Sequence, residues 1–144
     1  MITSKIERLN VEPSKLGFGC MRFPTTEDGA IDEMEAQKLL DRAIAGGVTY
    51  IDTAWPYHGE KSEEFVGRAL KKYDRNDYYL ATKLPIWKVE KPEDVRFYLD
   101  EQLRRLQTDH IDFYLIHALS KERWDLVGEH HVLNELMKLK SEGK

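Results

Sequence analysis

The sequence predicts an α/β fold built from four βα units with parallel strands. Three observations predict it. Short apolar runs, several of them β-branched, alternate four times with longer segments whose apolar residues recur at helical spacing. Helix-starting and helix-stopping residues fall between the two kinds of segment. Strict alternation of this kind makes each helix a crossover, and crossovers join parallel strands.

The first strand is KLGFGCMRF, 15–23. Asp32, with Glu35 three residues on, announces the first helix as a capping-box pattern. Ala36, Leu39, Leu40, Ala43 and Ile44 form its apolar stripe, and Gly46-Gly47 ends it. VTYID, 48–52, is a buried strand. Ser62 is placed to cap the second helix, with Phe65, Val66, Ala69 and Leu70 facing the core. DYYLATK, 77–83, is the third strand. Lys91-Pro92 opens the third helix, where proline is tolerated in the first turn, and Val95, Leu99, Leu103 and Leu106 line its buried face. HIDFYLIHA, 110–118, is the fourth strand. Residues 120 to 142 read as helix with a break near Gly128.

Two architectures fit this order: a doubly wound sheet and a β/α barrel. A dinucleotide fingerprint needs G-x-G-x-x-G running straight into a helix. Here Gly17 and Gly19 are followed by Arg22 at the third glycine's place, and FPTTEDGAID separates them from the first helix. That favours the barrel. A barrel needs eight units and about 250 residues, whereas 144 residues supply four. The expectation is half of a larger barrel, a half that pairs with another, or a sheet that closes differently, since four units leave open strand edges and an uncovered apolar face.

Charge and composition exclude several roles. A net charge of -4 argues against nucleic acid as a partner. No stretch approaches the roughly 20 apolar residues that span a bilayer, and MITSKIERLN lacks an apolar signal segment. A cytoplasmic location is the default. The single cysteine, Cys20, cannot form an internal disulfide or hold a zinc or iron–sulfur site, and reads as a small buried residue. His130 and His131 point about 100° apart on a helix and cannot grip one metal, so they read as a solvated helix face and no metal site is expected.

In parallel β/α proteins the chemistry lies at the C-terminal strand ends. Strand two ends at Asp52, with Tyr57 in the next loop; strand three ends at Lys83; strand four ends at His117. A tyrosine, with a pKa near 10, exchanges protons poorly at neutral pH. A neighbouring ammonium favours the phenolate, and an aspartate holds that ammonium charged. A histidine opposite can hydrogen-bond a carbonyl or relay a proton. Singly, each residue also fits a plain role: turn cap, packed aromatic, solvated strand end, core histidine. At one rim they form a carbonyl-polarising acid system. His58 reads as a loop residue beside the site, and Trp55, Trp87 and Trp124 as pocket wall or packing.

LGFGCMRFP (16–24), YIDTAWPYHGEKSEEFVGRAL (50–70), YLATKLP (79–85) and LQTDHIDFYLIHAL (106–119) resemble the aldo-keto reductases. The resemblance implies the N-terminal half of a (β/α)8 TIM barrel and reduction of an aldehyde or ketone with NADPH (or NADH). It implies a catalytic tetrad of Asp52, Tyr57, Lys83 and His117. Tyr57 would protonate the oxygen, Lys83 paired with Asp52 would tune it, and His117 would orient the carbonyl. Gly19, Cys20, Met21 and Asp52 would touch the nicotinamide ribose. The wording CMRFPT, PYHGEKSEEF and TKLP is most similar to a subgroup with a C-terminal ferredoxin-like iron–sulfur region, although one cysteine cannot hold such a cluster here. The family's phosphate-binding loops follow strands seven and eight, so this chain alone is expected to bind NADPH weakly or not at all. The family's N-terminal hairpin is hard to see in MITSKIERLNVEPSK, where Pro13 interrupts the pattern. The other expectations are a catalytically silent cofactor-sensing or scaffold relative, and a self-associating half-barrel inactive alone.

Overall fold

The computed structural model describes residues Met1–Lys144. The order is β1 (Gly17–Gly19), α1 (Glu33–Ala45), β2 (Tyr50–Asp52), α2 (Ser62–Leu70), β3 (Tyr79–Leu84), α3 (Pro92–Leu106), β4 (Phe113–Ile116), α4 (Lys121–Glu129) and α5 (Val132–Ser141). The strands form one parallel sheet in the order β1-β2-β3-β4. Each neighbour in sequence is thus a neighbour in space, with no reversal of strand order. That is how a barrel grows and not how a doubly wound sheet does.

The strands are shorter than their apolar runs. Gly17–Gly19 is the laddered part of the first, after which Cys20–Arg22 turns as a single 3₁₀ turn. Cys20 and Phe23 are apolar because they enter the core, not because they pair with a strand. The caps are mostly as the sequence indicates. The Asp32 side chain accepts the Glu35 N–H at 3.1 Å, and Gly47 takes the left-handed turn at φ 88°. At α3, Pro92 is the first helical residue, and the Asp94 carboxylate accepts the Glu90 and Lys91 N–H groups.

Three expectations are corrected. Ser62 does not cap α2; it is the helix's first residue, wholly buried, and its hydroxyl bonds Thr53 and the Cys20 carbonyl instead. The break in the last helical segment falls at His130–His131, with His131 left-handed at φ 50°, while Gly128 lies within α4. His130, half-buried, and His131, exposed, therefore sit at the corner between two helices and not along one helix face. The N-terminal hairpin does form, through antiparallel bridges Thr3↔Ser14 and Ile6↔Val11. Pro13 fits because only its carbonyl is used, accepting the Ser4 N–H at 2.9 Å, and proline lacks only the donor. Reciprocal bonds between Ser14 and Thr49, and Glu12 N–H to the Tyr79 hydroxyl, tie the hairpin to the N-terminal ends of β2 and β3.

Alternation along the strands sorts the rest. Leu80, Leu84 and Ile51 join the core with α2 and α3. On the other face, Tyr50, Tyr79 and Phe113 stack rings at 5.1 and 6.1 Å near the hairpin end. Two residues further along β2 and four along β3 and β4, the same face carries Asp52, Lys83 and His117. One face is thus aromatic at its base and ionic at its rim.

Candidate active site

All four sequence-predicted residues meet at this rim. The Lys83 Nζ donates to Asp52 Oδ1 at 2.7 Å and to the Thr53 carbonyl at 2.6 Å. Its side chain is 13% exposed, so this pair is screened far less than a surface ion pair. The same Nζ lies 5.0 Å from the centre of the Tyr57 ring, within cation–π range. The Tyr57 ring meets His117 edge to face at 5.8 Å, and Trp87 packs on the other side of His117 at 5.1 Å.

Tyr57 sits in a loop, so its placement depends on how the loop is held. His58, Gly59 and Glu60 all have positive φ, a tight left-handed run. Three ties fix it. Thr53 and Ser62 bond each other at 2.9 Å across its base. The Phe23 N–H donates to His58 Nε2 at 3.2 Å, joining it to the loop after β1. Trp55 is buried between Tyr98 and the Arg105 guanidinium, whose Cζ is 3.6 Å from the indole centre. His58 is thus a brace for the loop, as its place beside the site indicates. Trp55 is packing, while Trp87 forms part of the site wall.

Burial, the Lys83 ammonium and the Arg123 guanidinium hold His117 below histidine's ordinary pKa, against the opposing pull of Asp52. These surroundings favour its neutral form, and its Nδ1 is buried with no partner from the chain. A neutral imidazole can orient a carbonyl without adding a charge to it. Cys20 is wholly buried, and burial together with the Asp52 carboxylate raises its thiol pKa far out of the reactive range. It is no nucleophile.

A buried polar cluster behind Lys83 escaped sequence reasoning. Glu63 Oε1 accepts from the Thr82 hydroxyl at 2.6 Å and from Gln102 Nε2 at 2.5 Å. Gln102 Nε2 also faces the Lys83 carbonyl at 3.1 Å, and the Tyr114 hydroxyl donates to Gln102 Oε1 at 2.7 Å. Arg105 approaches Glu63 Oε2 at 3.5 Å. Burial pushes the Glu63 carboxyl above its ordinary range, opposed by Thr82, Gln102 and Arg105. A signal was available: Gln102 lies three residues after Leu99 and four before Leu106, on the apolar stripe, and Glu63 lies three before Val66. Polar residues at core positions of two adjacent helices need partners.

The aldo/keto reductase family model matches residues 15–144. The chain belongs to the aldo/keto reductase family. It is 35% identical over 126 residues to the aldo-keto reductase YhdN of Bacillus subtilis, covering 79% of this chain and 37% of that protein. It is 34% identical over 137 residues to L-galactose dehydrogenase of Arabidopsis thaliana, covering 91% and 42%. Among solved structures, the holo form of aldo-keto reductase AKR11C1 from Bacillus halodurans superposes with a TM-score of 0.81 at 32% identity, covering 99% of this chain and 47% of that one. The chain thus spans about two-fifths of the length of the curated relatives it matches. The four parallel βα units are the corresponding part of this family's barrel.

Beside Asp52 the rim of β1 carries no side chain at Gly19. Gly19 pairs with Asp52 across β1 and β2, and a Cβ there would meet nothing within 4 Å. Met21 is exposed beside it. The Cys20 side chain points into the core, so at that position only backbone faces the rim.

Proposed function

We propose that this chain carries the proton-donating half of an aldehyde or ketone reductase site, with NADPH as the reductant. The observation that supports it most is the arrangement of Tyr57 between a half-buried Lys83–Asp52 ion pair and His117, whose surroundings favour its neutral form. A nicotinamide cofactor, when bound, supplies a hydride; Gly19, Met21 and Asp52 are the residues that would hold its ribose.

The chain's own residues account for the proton. His117 and the Tyr57 hydroxyl bracket the carbonyl oxygen and polarise it. Tyr57 gives its proton to that oxygen as negative charge develops there. The Lys83 ammonium stabilises the phenolate left behind. Asp52 and the Thr53 carbonyl hold the ammonium in place. Trp87 shields His117 from water on one side.

The test is Tyr57→Phe in the complete protein, assayed by NADPH oxidation with small aldehydes. Loss of the acid is expected to lower kcat by roughly 10²- to 10⁴-fold. Turnover at the wild-type rate in that variant would sink the assignment.

A further inference from the structure

We propose that Arg123 makes the mouth of this site selective for carbonyl compounds that also carry a carboxylate. This rests on the carbonyl-reductase reading above and names its substrate class.

The geometry begins at His117. Ala118 turns the chain left-handed at φ 50° immediately after it. The Ser120 hydroxyl then caps α4 by accepting the Arg123 N–H, which places Arg123 in the helix's first turn. Its side chain folds back toward the strand end, where one N–H donates to the Ala118 carbonyl at 2.6 Å. The guanidinium Cζ lies 5.1 Å from the centre of the Trp87 ring, and that ring lies 5.1 Å from His117. Cation, indole and imidazole are therefore consecutive neighbours, and the cation is two ring spacings from the carbonyl-orienting group. Its field reaches the site, since it is among the charges acting on His117.

The Ala118 carbonyl and the Trp87 ring hold the guanidinium in place, and no carboxylate compensates its charge. A cation in the first turn of a helix opposes the helix dipole, which favours anions there. The nearest acid in sequence, Glu122, is turned to the Ser120 hydroxyl at 2.8 Å. Arg123 forms no ion pair, and most of its five N–H donors are unengaged. The other cation of the site, Lys83, is neutralised by Asp52. Arg123 is thus an uncompensated charge beside Trp87 and His117. A planar guanidinium braced on an indole face presents a fork suited to a carboxylate. A neutral carbonyl compound has nothing to offer it.

The test compares 4-carboxybenzaldehyde with its neutral near-isostere 4-carbamoylbenzaldehyde in the complete protein. The expected ratio of kcat/KM values favours the carboxylate by roughly tenfold or more at low salt. Arg123→Gln brings the ratio to about one, and Arg123→Lys leaves an intermediate value. Arg8→Gln, which removes the same charge from the exposed N-terminal hairpin, leaves the wild-type ratio. A wild-type ratio of one, or one untouched by Arg123→Gln, overturns the proposal. Should neither aldehyde be reduced, the reductase reading falls, and equilibrium binding of the same two compounds still decides for or against Arg123.

Discussion

His117 shows how one side chain reports on its surroundings. Burial, Lys83 and Arg123 all disfavour its charged form, and Asp52 only partly offsets them. An NMR titration of the imidazole is expected to give a midpoint below 6.5, the ordinary histidine value. Arg123→Gln should move that midpoint upward, because it removes one of the lowering charges. The sign for stability follows by linkage. On acidification the unfolded chain protonates this histidine first, near pH 6.5, while the folded protein resists. Stability therefore falls as pH drops through about 6.5 and stops falling, on this residue's account, below the folded pKa. Glu101 acts in a separate window. Arg104 and Arg105 hold its carboxyl down at about 2, so its contribution is lost only as pH falls from about 4.5 toward 2. A urea-unfolding series across pH that is flat between 7 and 5 would contradict the His117 assignment. The clustering of Asp52, Tyr57, Lys83 and His117 was legible because each ends or follows an apolar run at the C-terminal end of a strand. Glu63 was not. An acidic residue in a helix's first turn ordinarily reads as solvated, and only the contacts with Thr82 and Gln102 show that it is wholly buried.

At the scale of elements, the apolar periodicity placed the helices well, and the details of their ends less so. The stripe Val95, Leu99, Leu103, Leu106 is buried as its spacing indicates. Leu39, by contrast, is 45% exposed although it shares the α1 pattern, because the core needs only one side of that helix. Ser62 misled because a serine at a helix start satisfies two patterns, a cap and a buried loop tie, and sequence does not separate them. Glycine gives a sharper test of helix packing. A Cβ on Gly67 of α2 would lie 2.4 Å from the Arg105 carbonyl oxygen and 2.8 Å from Leu106 backbone atoms of α3. Backbone cannot yield as a flexible side chain does. Gly67→Ala is expected to destabilise by about 3 kcal/mol, beyond the helix-propensity gain. Gly128 of α4 has open space at its Cβ, so Gly128→Ala should stabilise by roughly 0.5–1 kcal/mol. Urea midpoints of the two variants would check both signs. Equal effects would mean that α2 and α3 are not in backbone contact.

Over the whole molecule, the sheet has helices on one face and an uncovered other face. That face carries Tyr50, Tyr79, Phe113 and Leu115, and Leu115 is 41% exposed. The outer edges of β1 and β4 carry no neighbouring strand. Parallel sheets are nearly always covered on both faces, and open edges invite pairing with another chain. In a longer chain, further βα units would cover the same face and close the same edges. We propose that the 144-residue chain by itself covers them with a second copy. Sedimentation equilibrium should then show a weight-average mass that rises above 16.9 kDa as concentration increases. Leu115→Gln, which makes the exposed inner surface more polar without touching the helix-side core, should shift that rise to higher concentration. A mass fixed at the monomer value across the range would mean that the aromatic base and the ionic rim tolerate water without a partner. The hydrophobic argument for closing the sheet would then fail at this scale, while the Lys83–Asp52 pair and the Tyr57 loop, held by α2 and α3, would stand unaffected.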